Sequence, residues 1–270
     1  MTEKKSIIHI SVNSDDYSRK TGTLLRKKLE AKGYEVTATF KPEAELIISV
    51  GGDGAFINTL HSCGFPDIPF VGVNTGHLGF FQEISPESID DFIEKYEAGV
   101  CVVQDLETVK ATVISRDEYR GQAVFTALNE IIVRGGNSQV VHLDLSIGGN
   151  FIEKFSGDGL LVATSAGSTA YNYALGGAIV DPRVNMLQVT PIAAINSTAY
   201  RSFTSSLMLP GSLPVHIQLE ADRAMLLIAD GKKHDITGAS EVIIESSGKV
   251  IHLLRLEDYS FWKKVKTKFL

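Results

Sequence analysis

The residues best suited to chemistry in this sequence are Gly51-Gly52-Asp53-Gly54, which follow a mostly apolar, partly β-branched run at positions 46–50. The run predicts a buried strand, and glycines that end it let a ligand approach the backbone closely because they lack Cβ atoms. A helix is expected to begin near Gly54, and its first N–H groups favour a phosphate. A carboxylate is unusual in a bare phosphate cradle, so Asp53 suggests an acceptor for the proton of a sugar hydroxyl. The alternative is a turn in which Asp53 only caps the helix.

A second candidate stretch, residues 155–177, contains another Gly-Asp-Gly sequence around Asp158, then a strand and a turn rich in hydroxyl groups. These hydroxyl groups belong to Ser165, Ser168 and Thr169. They lie beside a short helix that is predicted to begin near Gly167, an arrangement that suits a phosphate or the polar edge of a sugar. Tyr171 can stack on a base or hydrogen-bond through its phenol. The alternative is a buried turn whose polar groups are satisfied by the backbone.

A third candidate is the pair Asn129-Glu130, which interrupts an apolar run at positions 127–133. The run predicts a strand, with the amide and the carboxylate inside it. Buried polar groups of this kind need partners or a ligand, because leaving each one unpaired costs about 1–3 kcal/mol.

The first hundred residues alternate predicted strands and helices. Residues 7–12 form the first strand, Asp15 or Asp16 caps a helix that reaches Lys32, and Ser85 with Pro86 opens a later helix. This alternation is typical of a parallel sheet covered by helices, which binds ligands beyond the carboxyl ends of its strands. The glycines around Asp53 lie at one such end, and the glycine-rich residues 74–81 lie at another.

After Gly99 the pattern changes to apolar and polar residues in alternation, which indicates half-buried antiparallel strands. Hairpin turns are predicted at residues 147–151 and 229–232. We therefore expect an α/β domain over residues 1–100 and a β-rich domain over residues 101–255. The amphipathic tail, residues 256–270, is expected to dock back on the first domain.

Composition narrows the functional classes. The chain has 270 residues and a formal net charge of −6, which argues against a nucleic-acid binder because no broad basic face is available. No apolar stretch approaches the roughly 20 residues of a membrane span. Two cysteines and no apparent signal peptide favour a reducing, cytoplasmic location.

Five features occur in this order along the chain: the glycine motif at Asp53, residues 75–80, Asn129-Glu130, residues 158–177 and the ending Phe261-Trp262-Lys263-Lys264-Val265. With this order and spacing, the sequence resembles NAD kinases of the short Gram-positive bacterial type. The resemblance covers most of the chain. It implies a Rossmann-like N-terminal α/β domain with a parallel sheet, and a C-terminal β-sandwich. It also implies transfer of the γ-phosphoryl group of ATP, with Mg²⁺ or another divalent cation, to the 2′-hydroxyl of the adenosine ribose of NAD. Family members are homodimers or homotetramers whose sites are shared between subunits.

The resemblance assigns roles by position. Asp53 is the base or orienter of the 2′-hydroxyl, Gly54 gives backbone access, and Asn129 and Glu130 hold hydroxyls of the ribose or the diphosphate side. The remaining assigned positions, which contact the nicotinamide end, the adenine or the ribose, are Phe80, Ser156, Asp158, Thr169, Ala170, Tyr171, Asn172, Ala174 and Ala193. Two departures from the family stand out: Ala55 replaces a frequent threonine, and Ser156 replaces a frequent arginine.

Two other functions remain open at the level of sequence. A diacylglycerol- or sphingosine-type lipid kinase shares the Gly-Gly-Asp-Gly loop, although the hydroxyl-rich turn argues against an acyl site. A non-catalytic dinucleotide sensor would keep the binding residues without needing Asp53. No acidic cluster has the spacing of an all-protein metal cage, so the cation is expected to arrive with ATP. The sequence leaves open whether polyphosphate replaces ATP and whether NADH is accepted.

Overall fold

The structure, a computed structural model, describes residues 6–117, 119, 121–196, 201–221, 223–257 and 259–270. It divides the chain into two compact units, Met1–Asp105 with Val250–Leu270 and Leu106–Lys249. The sequence placed the divisions near residues 100 and 255. Both actual division points fall inside strands, which explains why no linker composition marks them.

The first unit is an α/β unit. Its strands and helices, in chain order, are β1 (Ile7–Val12), α1 (Asp16–Ala31), β2 (Glu35–Thr37), β3 (Leu46–Gly51), α2 (Asp53–Cys63), β4 (Phe70–Asn74) and α3 (Ile89–Glu97). The C-terminal helix α5 (Phe261–Phe269) also belongs to this unit. Asp15 caps α1 as predicted, because its carboxylate accepts from the amide of Ser18 at 2.9 Å.

The strands of the first unit are parallel and lie in the order β2-β1-β3-β4. All six residues of β3 are buried, and so are the apolar residues that α1 and α3 turn towards the sheet. The predicted α/β domain with a parallel sheet is confirmed. Among the helices that the structure describes, we find none both long and apolar enough to cross a membrane.

The second unit consists almost entirely of antiparallel strands. They are β5 (Val102–Ser115), β6 (Gln122–Ala127), β7 (Glu130–Gly135), β8 (Val141–Ile147), β9 (Asn150–Gly157), β10 (Gly159–Thr164), β11 (Met186–Ile192), β12 (Leu207–Pro210), β13 (Val215–Leu219), β14 (Met225–Ala229), β15 (Lys232–Asp235) and β16 (Ala239–Arg255). One four-residue α-helix, α4 (Tyr171–Ala174), interrupts the described strands of this unit. Strands β5 and β16 each have one end in the first unit.

Two sheets sandwich the core of the second unit. One has the order β12-β11-β10-β7-β14-β15, and the other contains β9, β8, β13, β16, β5 and β6. One apolar cluster takes residues from both sheets, including Val133, Leu145, Val162 and Ile217. The predicted β-sandwich is therefore confirmed, as are the hairpin turns between β8 and β9 and between β14 and β15.

The prediction that Asn129 and Glu130 lie inside one continuous strand is wrong. Strand β6 ends at Ala127 and β7 begins at Glu130, so Asn129 lies in a break between two strands and Glu130 is the first residue after it. The strand is broken here because the backbone amides of Leu128 and Asn129 donate to the side chain of Asp230 instead of to a neighbouring strand.

Candidate functional site

The turn after β3 brings Asp53 to the first residue of α2. Gly51 is required there because a Cβ atom would lie 2.4 Å from the Cβ of Ala55. At Gly52 and Gly54, by contrast, an added Cβ atom would meet nothing within 4 Å. These two glycines therefore leave the backbone at the start of α2 open to an approaching group.

The carboxylate of Asp53 bonds to a distant loop and does not cap its own helix. Gly52 is the N-cap residue of α2 and makes no side-chain cap. The two oxygens of Asp53 accept from the backbone amides of Phe80 at 2.8 Å and Phe81 at 3.0 Å. Gly79 must be glycine, because a Cβ atom would lie 2.1 Å from the Asp53 carboxylate. The alternative role of Asp53 as a helix cap is therefore wrong, and its side chain is 28% exposed.

The C-terminal part of the first unit holds that loop in place. Arg255, which is only 4% exposed, donates to the carbonyl of Phe80 at 2.8 Å and to Glu83 at 3.2 Å. Lys264 donates to the carbonyl of Gln82 at 3.0 Å, and burial followed by the charge of Arg255 lowers the pKa of Lys264 to about 8. Gln82 in turn donates to the carbonyl of Gly52 at 3.0 Å. The loop is thus held by Arg255 and Lys264, and it is also bonded to Gly52, which directly precedes Asp53.

Phe80 is part of the packed core of the first unit. It is 6% exposed, and its ring lies 5.7 Å from that of Phe261 and 5.9 Å from that of Phe269. Lys268 reaches over the same ring, at 4.7 Å from its centre. The predicted contact of Phe80 with adenine stays a prediction.

In the second unit, Asp230 organises the break before β7. It occupies the left-handed region at φ 48° in the turn between β14 and β15. Its carboxylate accepts from the amides of Leu128 at 2.8 Å, Asn129 at 2.7 Å and, more weakly, Glu130 at 3.4 Å. Its own amide donates to the carbonyl of Glu130 at 3.1 Å. These bonds satisfy the backbone that would otherwise be orphaned at the break.

The side chains of Asn129 and Glu130 each have a buried oxygen without a described hydrogen-bond partner. Oδ1 of Asn129 and Oε2 of Glu130 are buried, and no described group donates to either. Glu130 is 6% exposed, and burial, with a smaller contribution from the charge of Asp230, raises the pKa of Glu130 to about 8. Unpaired buried atoms of this kind cost about 1–3 kcal/mol each, which a ligand that bonds to them would recover.

The hydroxyl-rich turn packs directly against Asn129. Gly167 is required because a Cβ atom would lie 1.9 Å from the carbonyl oxygen of Asn129. Thr164 accepts from the amide of Gly167 at 3.1 Å and donates to the carbonyl of Leu128 at 2.6 Å. The predicted helix near Gly167 is a 3₁₀ turn, Ala166–Thr169, followed by the four residues of α4.

Two hydroxyls that were predicted to contact a phosphate or a sugar are used inside the protein. Ser168 is fully buried, donates to the carbonyl of Val180 and accepts from the Val180 amide at 3.0 Å. Ser165 donates to the carbonyl of Val184. For these two residues the alternative of a backbone-satisfied turn is correct. Among the described residues, the Thr169 hydroxyl donates to the carbonyl of Ala166 over a long distance, 3.4 Å.

The residues that follow divide into buried and exposed positions. Asn172 is fully buried, and its Oδ1 accepts from Thr190 at 2.6 Å, while its Nδ2 has no described partner. Tyr171 is 42% exposed, Ala174 is exposed, and Ala170 is half-buried. This stretch therefore combines a buried, hydrogen-bonded Asn172 with the exposed aromatic ring of Tyr171.

A further group lies at the junction of β9 and β10. The amide of Asp158 donates to the carbonyl of Ile192 at 2.9 Å, and Ala193, next in the chain, adopts the left-handed region at φ 48°. Asp158 is half-buried and Ala193 is exposed. Ser156 is fully buried, and its hydroxyl lies 2.7 Å from Nδ1 of His142. The assigned roles of all three residues stay predictions.

Comparison with protein families decides the relationship. Residues 2–100 match the ATP-NAD kinase N-terminal domain, and residues 128–256 match the ATP-NAD kinase C-terminal domain. The chain belongs to the ATP-NAD kinase family. The resemblance drawn from the sequence is thereby confirmed.

Individual members of the ATP-NAD kinase family support this assignment. The NAD kinase of Finegoldia magna is 38% identical over 280 residues, which cover 100% of both chains. NAD kinase 1 of Listeria monocytogenes serovar 1/2a is 34% identical over 233 residues, covering 84% of this chain and 86% of the relative.

Solved structures of an NADH kinase and an NAD kinase share the fold at lower identity. Yeast NADH kinase in complex with NADH superposes with a TM-score of 0.85 at 20% identity, covering 98% of this chain and 87% of the other. An NAD kinase from Archaeoglobus fulgidus in complex with ATP gives a TM-score of 0.75 at 23% identity, covering 98% and 99%.

Two residues that contact the candidate groups were not predicted from the sequence, one in each unit. Asp230 was read only as part of a hairpin turn, although an aspartate beside Gly231 is also suited to accept backbone amides. Lys268 was read as part of an amphipathic tail, and its Nζ lies 3.9 Å from Oδ2 of Asp53. Within the described part of the chain, no group of three or more metal-ligating side chains is positioned to hold a metal ion.

Proposed function

We propose that this protein transfers the γ-phosphoryl group of ATP to the 2′-hydroxyl of the adenosine ribose of NAD, which yields NADP. Membership of the ATP-NAD kinase family supports a kinase. The observation that carries the choice of acceptor is the pair of buried, unpaired oxygens on Asn129 and Glu130. Two adjacent polar groups that lack partners suit a ligand rich in hydroxyls, such as a ribose, and do not suit an acyl chain.

Asp53 would take the proton of the 2′-hydroxyl. Each oxygen of its carboxylate accepts one amide hydrogen bond in the described structure, which leaves acceptor capacity on both. The two amides fix its orientation, and the partial exposure of the side chain leaves it accessible to a substrate. A carboxylate within hydrogen-bond reach of a weakly acidic alcohol contributes about 10²- to 10⁴-fold to the rate.

ATP would enter as its complex with Mg²⁺ or another divalent cation, which offsets charge on the phosphates. The open backbone at Gly52 and Gly54 leaves room for phosphate oxygens at the start of α2. No lysine follows these glycines as in a Walker-type loop. The chain's contribution is therefore alignment of the acceptor and acceptance of its proton, with positive charge from Lys268 nearby.

We also propose that the protein acts in the cytoplasm as a homodimer or homotetramer with sites shared between subunits. Support comes from the family resemblance and, for location, from the scarcity of cysteine. The exposed ring of Tyr171 is available to a nucleotide or to a neighbouring subunit.

A direct assay tests the proposed reaction. Purified protein is incubated with ATP, Mg²⁺ and either NAD, NADH or diacylglycerol, and NADP(H) and phosphorylated lipid are measured separately. We expect NADP with an equal amount of ADP and no phosphorylated lipid. Phosphorylated lipid would favour a lipid kinase, and NAD binding without NADP formation would favour a sensor. Replacing ATP by polyphosphate in a parallel arm identifies the phosphoryl donor.

A further inference from the structure

Asp230 and Glu130 form an unusual arrangement of two carboxyl groups in the second unit. Three consecutive backbone amides, those of residues 128–130, donate to the Asp230 carboxylate. The side chain of Glu130, in contrast, is buried with one oxygen unpaired. The Asp230 carboxylate therefore positions the backbone, and the Glu130 side chain is left available to a ligand.

The geometry of Asp230 is specific to this task. Residue 230 occupies the left-handed region, and Gly231 follows it at φ 81°, which makes a tight turn between β14 and β15. Only aspartate, asparagine and glycine adopt this conformation readily, and of these only aspartate offers two acceptor oxygens. The turn is thereby locked to the first residue of β7.

We propose that Asp230 is a positioning residue that aims Asn129 and Glu130, and that Glu130 meets the dinucleotide as a neutral carboxyl group which donates a hydrogen bond. This inference rests on the proposed function for the identity of the ligand, NAD. It concerns the charge state and orientation of the acceptor site, on which the family assignment is silent.

Three observations support a neutral Glu130. The side chain is 6% exposed, so an ionised carboxylate would lose most of its hydration. None of the ion pairs found among the described residues includes Glu130, and the charged group that acts on it is the negative Asp230. Both effects favour the protonated form, in line with a Glu130 pKa of about 8.

A neutral carboxyl group has a chemical advantage at this position. It offers one O–H donor and one acceptor, which matches a ribose hydroxyl on both counts, whereas an ionised carboxylate only accepts. It also adds no negative charge to a site that must hold a ligand with a negatively charged diphosphate.

The first test compares Glu130→Gln with Glu130→Ala by calorimetric titration with NAD between pH 6.5 and 9.5. Glutamine keeps a donor and an acceptor and cannot ionise, so it should bind NAD at least tenfold more tightly than alanine at pH 7. The wild type should lose affinity as the pH rises through about 8, while the glutamine variant should not. A pH-independent wild type, or a glutamine variant as weak as alanine, would overturn the proposal.

The second test uses Asp230→Asn, which tolerates the left-handed conformation but removes the charge and one acceptor. A negative neighbour raises the pKa of Glu130, so its removal should move the pH midpoint of NAD affinity to lower pH. Asp235→Asn, at an exposed position of β15, is the matched control and should leave the midpoint in place. A purely structural Asp230 would lower the melting temperature without moving the pH midpoint of NAD affinity. That result would overturn the positioning role proposed for Asp230.

Separate measurements of NAD binding and NADP formation distinguish the proposed kinase reaction from the neutral state of Glu130. NADP formation by the wild type together with a pH-independent affinity for NAD would retain the proposed function and reject a neutral Glu130. Binding of NAD with the expected pH dependence but without NADP formation would reject the kinase reaction and retain the neutral carboxyl group. If the wild type does not bind NAD at any pH, both fail.

Discussion

The ammonium nitrogen of Lys268 lies 3.9 Å from Oδ2 of Asp53, so the C-terminal helix brings a positive charge to the first residue of α2. Lys264 lies one turn earlier on the same face of α5 and donates to the loop that holds Asp53. Lys263 and Lys266 are exposed. A cation from the C-terminal helix thus stands beside Asp53, although no lysine follows the glycines.

We expect Lys268→Met to reduce kcat/KM for ATP. A charge-assisted hydrogen bond to a phosphate contributes about 1.5–3 kcal/mol, which corresponds to roughly 10- to 150-fold. Methionine keeps an apolar stem of similar length and removes the charged nitrogen that lies over the Phe80 ring, so packing losses should be small. Steady-state kinetics with ATP varied at saturating NAD measure the effect.

The matched control is Lys266→Met, which removes the same charge from an exposed position of the same helix. It should remain within twofold of the wild type. Equal losses in both variants would show a general electrostatic effect and no specific contact by Lys268.

Asn129→Ala should raise the KM for NAD far more than that for ATP. The buried Oδ1 has no described partner, so its bond is available to the acceptor, and its loss should cost about 1–3 kcal/mol, or roughly 5- to 150-fold. Asn150→Ala, at the exposed first residue of β9, serves as the control. An unchanged KM for NAD in folded Asn129→Ala would remove this residue from the site.

The elements of the fold were readable from the sequence because their signals are local. Alternation of apolar and polar residues marks β8 and β13, and Asp15 caps α1 three residues before its partner amide at Ser18. Family membership followed from short motifs in a fixed order. Such features depend on neighbours within a few positions of the chain.

The details of the site depend on contacts that no local pattern contains. Asp53 bonds to amides 27 and 28 residues away, and Asp230 bonds to amides about one hundred residues away. Likewise, the sequence of the hydroxyl-rich turn cannot distinguish Ser168, which bonds to the backbone of Val180, from a residue that bonds to a ligand. Tertiary contacts decide both questions.

His252 should make stability depend on pH in the first unit. Its Nδ1 lies 2.7 Å from Asp105 and its Nε2 lies 3.0 Å from Asp67, and the hydrogen bond with Asp105 is the main cause that raises the pKa of His252 above its usual 6.5. The stabilisation is complete below pH 6.5 and is lost as the pH rises through the folded-state pKa. The melting-temperature difference between wild type and His252→Gln should therefore be larger at pH 6 than at pH 9. A difference that grows with pH would contradict this assignment.

Shared sites predict complementation between inactive variants. Mixtures of Asp53→Asn and Asp158→Asn protein, dissociated and reassembled together, should recover part of the activity because some hybrid sites contain both native residues. Each variant treated alone is the control. Activity that persists on dilution to sedimenting monomers would contradict shared sites.

The central test concerns Asp53→Asn. Asparagine offers only one acceptor oxygen, so it retains one of the two bonds to the amides of Phe80 and Phe81 and loses the negative charge. The loss of a hydrogen bond predicts a lower melting temperature, which is measured first so that kinetics are recorded on folded protein. The affinity for NAD, determined by calorimetry, should stay within a few-fold of the wild type.

The decisive measurement is kcat for NADP formation by this folded variant at saturating NAD and ATP. If the Asp53 carboxylate takes the proton of the 2′-hydroxyl, kcat should fall by roughly 10²- to 10⁴-fold while the affinity for NAD is retained. A kcat within a few-fold of the wild type would show that Asp53 only anchors the loop at Phe80, and would contradict the proposed mechanism.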